Sequence, residues 1–446
     1  MDAVFRFNHY RHICSIRLLH FFFFFPFFRC KLTLSTALLP NEALPTKSGY
    51  LPVTPTSDSA IFYVFYEAQE PTSPLSQTPL LICLQGGPGC SSMLGNFLEL
   101  GPCRVNFHKG PDEPLVLEPN PGSWNRIFGL LFLDSPIGTG FSIASKPEEI
   151  PRVLIKVAQH LYEAITPFID SNPSFKSPQI YRTGESYAGK YAPAIEYHIS
   201  KNPEAGAGEA SVGGGDSDRG RELERGVGGE EQSNGLAPEH DGCRDSARFN
   251  EEGQVQELLR DDDVKRSLGA KRPDVFEVCS DFVKGVLHED VMKSAKYMVE
   301  SLVRESSTRV LLYQGNFDLK DGVASTEAWV KTLKWEGIEG FLGADREVWK
   351  VNGELAGHVQ RCGSLTNAVV FGAGHLLPTD KALNSQAMIE DWVLGKGLFG
   401  SVQKDNFSTN SRDQCQFREF KARLVEQFTT ILILNPFKCA FVSTIL

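Results

Sequence analysis

Ser186 has the sequence setting of an activated nucleophile. It lies in Gly-Glu-Ser-Tyr-Ala at 184–188, between a short apolar run and a stretch with helical spacing. A strand that leads into Gly-x-Ser-x-small and then a helix is typical of a nucleophile elbow, in which small residues permit a sharp turn and the hydroxyl stands clear at the strand end. The pattern is short, so its chemistry depends on a base and a carboxylate elsewhere in the chain.

Candidates for the base and the carboxylate follow two later apolar runs. Asp318 comes after Leu-Leu-Tyr-Gln-Gly, and His375 ends Phe-Gly-Ala-Gly-His, directly after Ala-Val-Val. A histidine can accept the serine proton when a carboxylate orients its ring. The order Ser, Asp, His, each after a strand, is the chain order of α/β-hydrolases. Asp321 is an alternative carboxylate, and we favour Asp318.

The elements needed to position these residues are visible as short apolar runs that alternate with segments of helical spacing. This alternation predicts an α/β fold with a mostly parallel central sheet flanked by helices. Because the carboxyl ends of parallel strands lie at one edge of a sheet, the three candidate residues should lie on the same side. The expected strands fall within 48–68, 78–84, 129–134, 179–183, 309–314 and 368–371, and the expected helices within 151–169, 188–200, 255–304 and 327–335.

Three longer motifs carry a family resemblance. They are Gly-Gly-Pro-Gly-Cys-Ser-Ser at 86–92, Gly-Glu-Ser-Tyr-Ala-Gly-Lys-Tyr at 184–191 and Gly-Ala-Gly-His at 372–375. In this order they resemble the serine carboxypeptidase family, particularly its plant members, over roughly 45–200 and 255–400. The resemblance implies an α/β-hydrolase that releases C-terminal residues from peptides through an acyl-enzyme intermediate.

The resemblance also implies site residues. Backbone N–H groups would form the oxyanion hole, and a second set would bind the free carboxylate of the substrate. The oxyanion donors would be Gly87 and Tyr187; the carboxylate site would consist of the Gln85 side chain, the Gly86 backbone N–H and Glu185, with Glu99 as a second acid. The family usually has Asn at the position of Gln85 and Trp at that of Cys83.

Glu185 next to the nucleophile has a consequence for pH. An ionised Glu185 would repel a substrate carboxylate, so the site needs a shared proton, which favours peptidase activity at acid pH. The alternative is a buried, hydrogen-bonded Glu185 without a role in substrate binding. The resemblance further implies a disulfide between Cys90 and Cys279; cysteines 83, 103 and 362 are expected to be free thiols.

Residues 201–254 interrupt the pattern. The part from 201 to 250 contains eleven glycines, many Glu and Arg, and almost no apolar periodicity. We expect a low-complexity insertion here, no central strand after the elbow helix, and a truncated cap over the cleft. The expected organisation is a signal peptide at 1–36, a hydrolase core at 37–200, the insertion at 201–254, the rest of the core at 255–400 and an irregular tail at 401–446.

Composition and the N-terminus bear on compartment and partners. A net charge of −10 argues against non-specific nucleic-acid binding. Arginines, then the phenylalanine-rich run 18–28, then small residues follow the order of a secretory signal, although His20 and Pro26 make a poor membrane span. We therefore expect a chain of the secretory pathway, extracellular or vacuolar, without a stable membrane span. Asn406 starts a glycosylation sequon. Ten cysteines suit a few disulfides.

Three functions remain open. The first is the carboxypeptidase. The second is an acyltransferase that uses sugar esters, although such relatives often carry Asp where this chain has Glu185. The third is a catalytically defective chain, because of the unusual 201–250 segment. The substrate would be a peptide or a small acyl compound. We find no motif for a metal, nucleotide or redox cofactor, and the sequence leaves the oligomeric state open.

Overall fold

The computed structural model describes residues 39–106, 115–175, 179–201, 209–213, 251–271, 276–304 and 308–400. These residues lie in one compact unit that spans 38–446. The predicted signal peptide at 1–36, most of the predicted insertion and the tail with Asn406 lie outside the described residues. Across the described ranges, no helix is long and apolar enough to cross a membrane.

A ten-stranded sheet forms the centre of the molecule, in the order β1-β2-β6-β3-β7-β8-β9-β12-β11-β10. The six strands from β6 to β12 pair in parallel, and the outer strands pair antiparallel. A separate two-stranded sheet joins β4 and β5. The strands are β1 Lys47–Pro52, β2 Ala60–Tyr66, β3 Leu80–Leu84, β4 Cys103–Val105, β5 Leu117–Pro119, β6 Gly129–Leu133, β7 Ile180–Gly184, β8 Glu209–Gly213, β9 Val310–Gly315, β10 Glu347–Val351, β11 Glu354–Cys362 and β12 Leu365–Val370.

Helices cover the sheet. In α2 the buried side chains recur every three or four residues and form one apolar stripe, which packs with the inner face of α3 against the sheet. The helices are α1 Ser92–Leu94, α2 Leu154–Ser171, α3 Ala188–Ser200, α4 (described over 251–260), α5 Asp262–Ser267, α6 Asp281–Val286, α7 His288–Val291, α8 Lys296–Arg304, α9 Val323–Val330, α10 Ile338–Leu342, α11 Leu377–Asp380 and α12 Ala382–Leu394.

Strand composition explains the parallel centre. β3 (Leu-Leu-Ile-Cys-Leu) and β6 (Gly-Leu-Leu-Phe-Leu) are buried at every position. Continuous apolar runs are typical of parallel strands, because helices cover both faces of the sheet. The predicted α/β fold with a mostly parallel central sheet is therefore confirmed, and the loops after β3, β7, β9 and β12 meet at one edge.

The prediction that no central strand lies between 201 and 250 is wrong. β8 pairs in parallel with β7, where Tyr181 faces Glu209, and with β9, where Ala210 faces Val310. The sequence Glu-Ala-Ser-Val-Gly lacks the branched apolar run expected of a buried parallel strand, which is why the pattern missed it. The sheet is continuous from the first half of the core to the second.

The β10–β11 hairpin was also missed, although its turn carries a recognised signal. Asn352 and Gly353 connect the strands with φ angles of 53° and 84°. Two successive positive φ values are the requirement of a type I′ turn, for which Asn-Gly is the preferred pair. The hairpin extends the sheet beyond β12, and its turn lies at the edge where β12 ends, because Gly357 near the start of β11 pairs with Val370 at the end of β12.

Candidate active site

Ser186 lies at a sharp turn between β7 and α3. Its φ of 56° is in the left-handed region, which a residue with a side chain rarely adopts. Gly184 makes this turn possible, because a Cβ atom there would lie only 2.0 Å from the Ala188 carbonyl oxygen. Ser186 is partly exposed in an otherwise buried turn. The backbone thus has the geometry of a nucleophile elbow.

The loops that carry Asp318 and His375 are joined side by side. Gly372 N donates to Asn316 Oδ1 at 2.7 Å, and Phe317 N donates to Ala373 O at 2.9 Å. These bonds align the two post-strand loops, and His375 Nδ1 lies 3.0 Å from Asp318 Oδ2. The structure therefore brings the predicted base and carboxylate into direct hydrogen-bond contact.

Asp318 is held as an ionised acceptor. Its side chain is 1% exposed, and its Oδ1 accepts hydrogen bonds from Lys320 N at 2.8 Å and Asp321 N at 2.9 Å. Burial by itself raises the pKa of Asp318, but His375 and the two backbone amides outweigh it and hold the pKa below its ordinary value. The Asp321 carboxylate lies farther from His375 Nδ1, at 3.8 Å, so the hydrogen bond belongs to Asp318.

The other ring nitrogen of His375 is available for chemistry. Nε2 is buried and makes no hydrogen bond with the described part of the chain, Ser186 included. Ser186 and His375 follow parallel strands of the same sheet and stand at the same edge. Hydrogen bonds between nucleophile and base are often long before substrate binds and tighten in the complex.

Gly87 and Tyr187, the predicted oxyanion donors, lie on two adjoining turns next to Ser186. The turn after β3 lies directly on the elbow: a Cβ on Gly86 would be 2.5 Å from Tyr187 N. The next residue, Gly87, has a φ of 105° that favours glycine. Among the described residues, neither the Gly87 nor the Tyr187 N–H has a hydrogen-bond acceptor. Both donors are thus open to a ligand.

A buried cluster of polar side chains lies beneath the same turn. Gln85 Nε2 donates to Glu99 Oε1 at 2.7 Å and to Glu185 Oε2 at 2.9 Å, so one amide joins both acids. All three side chains are buried. Glu185 Oε1 is also buried and has no hydrogen-bond partner within the described ranges. The residues predicted to bind a carboxylate are therefore together, and one of their oxygens is unsatisfied.

Asp134 is a site-supporting residue that the sequence analysis missed. It follows β6 and accepts hydrogen bonds from Ser91 Oγ at 2.6 Å, Ser92 N at 2.8 Å and Phe141 N at 2.9 Å. Burial raises the pKa of Asp134 to about 6, even though these hydrogen bonds lower it. An acid directly after a buried apolar run was the available signal. Asp134 holds the chain that follows the glycine-rich turn.

The cysteines fall into two groups. Cys90 and Cys279 form a disulfide across a sequence separation of 189, as the family resemblance implied. Cys83 and Cys103 are free and buried, and burial raises the pKa of the Cys83 thiol to about 12. The expectation of a free Cys362 is wrong, because this residue is disulfide-bonded.

The sequence is similar to known proteins over most of its length. The chain is 48% identical over 422 residues to serine carboxypeptidase-like 50 of Arabidopsis thaliana, covering 84% of this chain and 93% of the relative. It is 28% identical over 414 residues to a venom serine carboxypeptidase of Apis mellifera, covering 80% and 86%.

Among solved structures, the carboxypeptidase Kex1 of Saccharomyces cerevisiae superposes with a TM-score of 0.66 at 22% identity, covering 81% of this chain and 94% of that one. This likeness supports the α/β-hydrolase fold. A family model described as serine carboxypeptidase matches residues 39–211 and 230–395. The chain therefore belongs to the serine carboxypeptidase family.

Proposed function

We propose that this chain is a serine-type carboxypeptidase that removes C-terminal residues from peptides through an acyl-enzyme at Ser186. His375 takes the Ser186 proton as Oγ attacks the scissile carbonyl, returns it to the leaving amine, and later activates water to release the acyl group. Asp318 orients the imidazole and stabilises its protonated form. The Gly87 and Tyr187 N–H groups stabilise the oxyanion.

The observation that supports an exopeptidase rather than a general esterase is the hydrogen-bonded cluster of Glu99, Gln85 and Glu185. Gln85 Nε2 bridges the two acids in a buried position directly beside the nucleophile. The unsatisfied Glu185 Oε1 gives a terminal carboxylate a partner if one proton is shared between them. Such a site selects a substrate by its free C-terminus.

The same pair predicts the direction of the pH dependence. Three carboxylates in one buried site repel one another when all are ionised. Protonation of one of them turns repulsion into a hydrogen bond, so substrate binding should be favoured at acid pH. We therefore expect KM for peptides to rise between pH 5 and pH 7.5 more steeply than KM for uncharged esters.

The proposal extends to the compartment. The Cys90–Cys279 disulfide suits an oxidising environment. With the N-terminal sequence pattern, it supports the secretory pathway, with an extracellular or vacuolar destination.

The test compares three substrates at pH 5 and pH 7.5: a blocked dipeptide with a free C-terminus, the same dipeptide as its C-terminal amide, and a glucose ester with an alcohol acceptor. Ser186→Ala is the matched control. We expect release of the terminal residue from the free acid, at least about tenfold faster than from the amide. This difference reflects the 1.4 kcal/mol or more expected of a charge-assisted hydrogen bond.

Other outcomes identify other functions. Acyl transfer from the glucose ester without peptide cleavage would support the acyltransferase. Equal rates on the free acid and the amide would rule out carboxylate recognition by the Glu99–Glu185 pair. No turnover, together with no labelling of Ser186 by a fluorophosphonate, would refute a working triad and favour the defective chain.

A further inference from the structure

One segment, residues 278–293, contacts both elements that carry the candidate oxyanion donors. On the side of the glycine-rich turn, Ser91 N donates to Val278 O at 2.7 Å, and Ser280 N donates to Gly89 O at 2.8 Å. The Cys90–Cys279 disulfide links the two strands of chain covalently between these bonds. The turn that contains Gly87 is therefore fixed to the beginning of the 278–293 segment.

The end of the same segment holds the elbow helix. Lys190, in the first turn of α3, donates from Nζ to Val291 O at 2.6 Å and to Lys293 O at 2.7 Å. The Tyr187 hydroxyl contacts Asp290 Oδ2 at 3.3 Å. The first turn of α3, which carries the second oxyanion donor, is thus tied to residues 290–293 by two side chains.

The burial of Lys190 argues that its contacts are specific. Its side chain is 1% exposed, which is exceptional for lysine. Removing an ammonium group from water costs several kcal/mol unless hydrogen bonds and nearby charge compensate it. Two carbonyl oxygens provide that compensation. Nζ also lies 5.0 Å from the centre of the Tyr187 ring, so the cation stands between that ring and the 291–293 backbone.

We propose that Lys190 is a positioning residue for the oxyanion hole. It fastens the start of α3 to residues 291–293 and thereby fixes the Tyr187 backbone N–H relative to Gly87, whose turn is fixed to the same segment. The two donors must converge on a single oxygen, and a displacement of about 1 Å can reduce a rate about 100-fold. Lys190 does not touch substrate. This inference rests on the proposed acyl-transfer chemistry at Ser186.

The experiment measures the reaction of Ser186 with a fluorophosphonate, which requires the triad and the oxyanion hole but no peptide recognition. Lys190→Met removes the ammonium and keeps much of the side-chain volume. Lys284→Met, at an exposed lysine of α6, is the matched control. The final extent of labelling gives the folded fraction, and the rate constant gives the reactivity of each folded site. We expect Lys190→Met to label to the same extent about 10- to 100-fold more slowly, and the control to match the wild type.

A purely structural role would give a different result: a lower extent of labelling, or a lower melting temperature, with an unchanged rate constant. That result would overturn the proposal. If Lys190→Met does not fold, Lys190→Gln decides, because it keeps a polar group at this position but is one atom shorter and cannot reach both the Val291 and the Lys293 carbonyl oxygens. A rate reduced about threefold or more supports the proposal, and the wild-type rate overturns it. If the wild type is not labelled, the proposed function itself fails, and this inference fails with it.

Discussion

At the scale of single residues, the choice between two carboxylates shows what geometry adds to sequence. Asp318 and Asp321 both have buried side chains near His375, and the sequence permits either as the orienting acid. The structure places Asp318 Oδ2 at 3.0 Å and Asp321 Oδ2 at 3.8 Å from Nδ1. Only the shorter distance is that of a hydrogen bond. The two residues should therefore differ strongly in their effect on catalysis.

We expect Asp318→Asn to lower kcat about 10³- to 10⁴-fold. The amide keeps the shape and can still accept from Lys320 N, but its NH2 group would face His375 Nδ1 and place the ring proton on Nε2. The base then cannot accept the Ser186 proton. Steady-state kinetics beside Asp321→Asn make the comparison, and we expect this second variant to lose less than about tenfold, since it touches no hydrogen bond to the ring. A larger loss in Asp321→Asn would reverse the assignment.

At the scale of elements, the site consists of loops that leave parallel strands and brace one another. The turn after β3 packs against the elbow after β7. The loop after β9 is hydrogen-bonded to the loop after β12. Asp134, which follows β6, accepts a hydrogen bond from the start of α1. Each loop obtains its shape from a neighbouring loop. When a buried acid accepts the hydrogen bonds that hold such a loop, the stability of the protein depends on pH.

We expect Asp134 to make folding less favourable as the pH rises. Its native pKa of about 6 lies above the ordinary 3.8, so its contribution is fully present below about pH 4 and is lost as the pH rises through 6. This difference between the native and the ordinary pKa of Asp134 corresponds to about 3 kcal/mol of folding free energy. Urea unfolding of the wild type and Asp134→Asn at pH 4 and pH 7 measures it, because the amide does not titrate. A stability difference between the two proteins that is the same at both pH values would show that folding does not raise the pKa of Asp134.

At the scale of the whole molecule, a single sheet joins two halves that are far apart in sequence. β7 carries Ser186, β9 and β12 precede Asp318 and His375, and β8 lies between the two groups. The family model matches the chain up to residue 211 and resumes at 230, so the unmatched residues begin inside β8. The alignment of the nucleophile with its base therefore depends on the pairing of this strand.

We expect Ser211→Pro to destabilise the protein by about 3 kcal/mol or more and to abolish fluorophosphonate labelling. Ser211 pairs with Thr183 on one side and Leu311 on the other, and proline removes a backbone donor from the middle of the sheet. Ser217→Pro, in the stretch that the family model does not match, is the control and should label and melt like the wild type. Wild-type behaviour of Ser211→Pro would contradict the continuous sheet.

The sequence alone predicted the fold class and, in the candidate triad, Ser186, His375 and a choice between two acids in which Asp318 was favoured. These depend on local signals: an apolar run ends in a small-residue turn, and the residue that follows has the required chemistry. The parallel strands β3 and β6 were recognisable because burial on both faces favours continuous apolar side chains, and β7, β9 and β12 were recognisable from shorter apolar runs that precede the candidate residues. The Asn352-Gly353 hairpin was missed although its signal is just as local.

Only the tertiary structure decided the features that depend on distant parts of the chain. β8 is a strand because β7 and β9 provide hydrogen-bond partners on both sides. Its own composition does not predict a strand. The joining of Glu99 and Glu185 by Gln85, and the contacts of Lys190 with residues 291–293, form between segments up to about a hundred residues apart. Local sequence patterns indicate which secondary structure a segment prefers. Which segments meet is set by packing over the whole molecule.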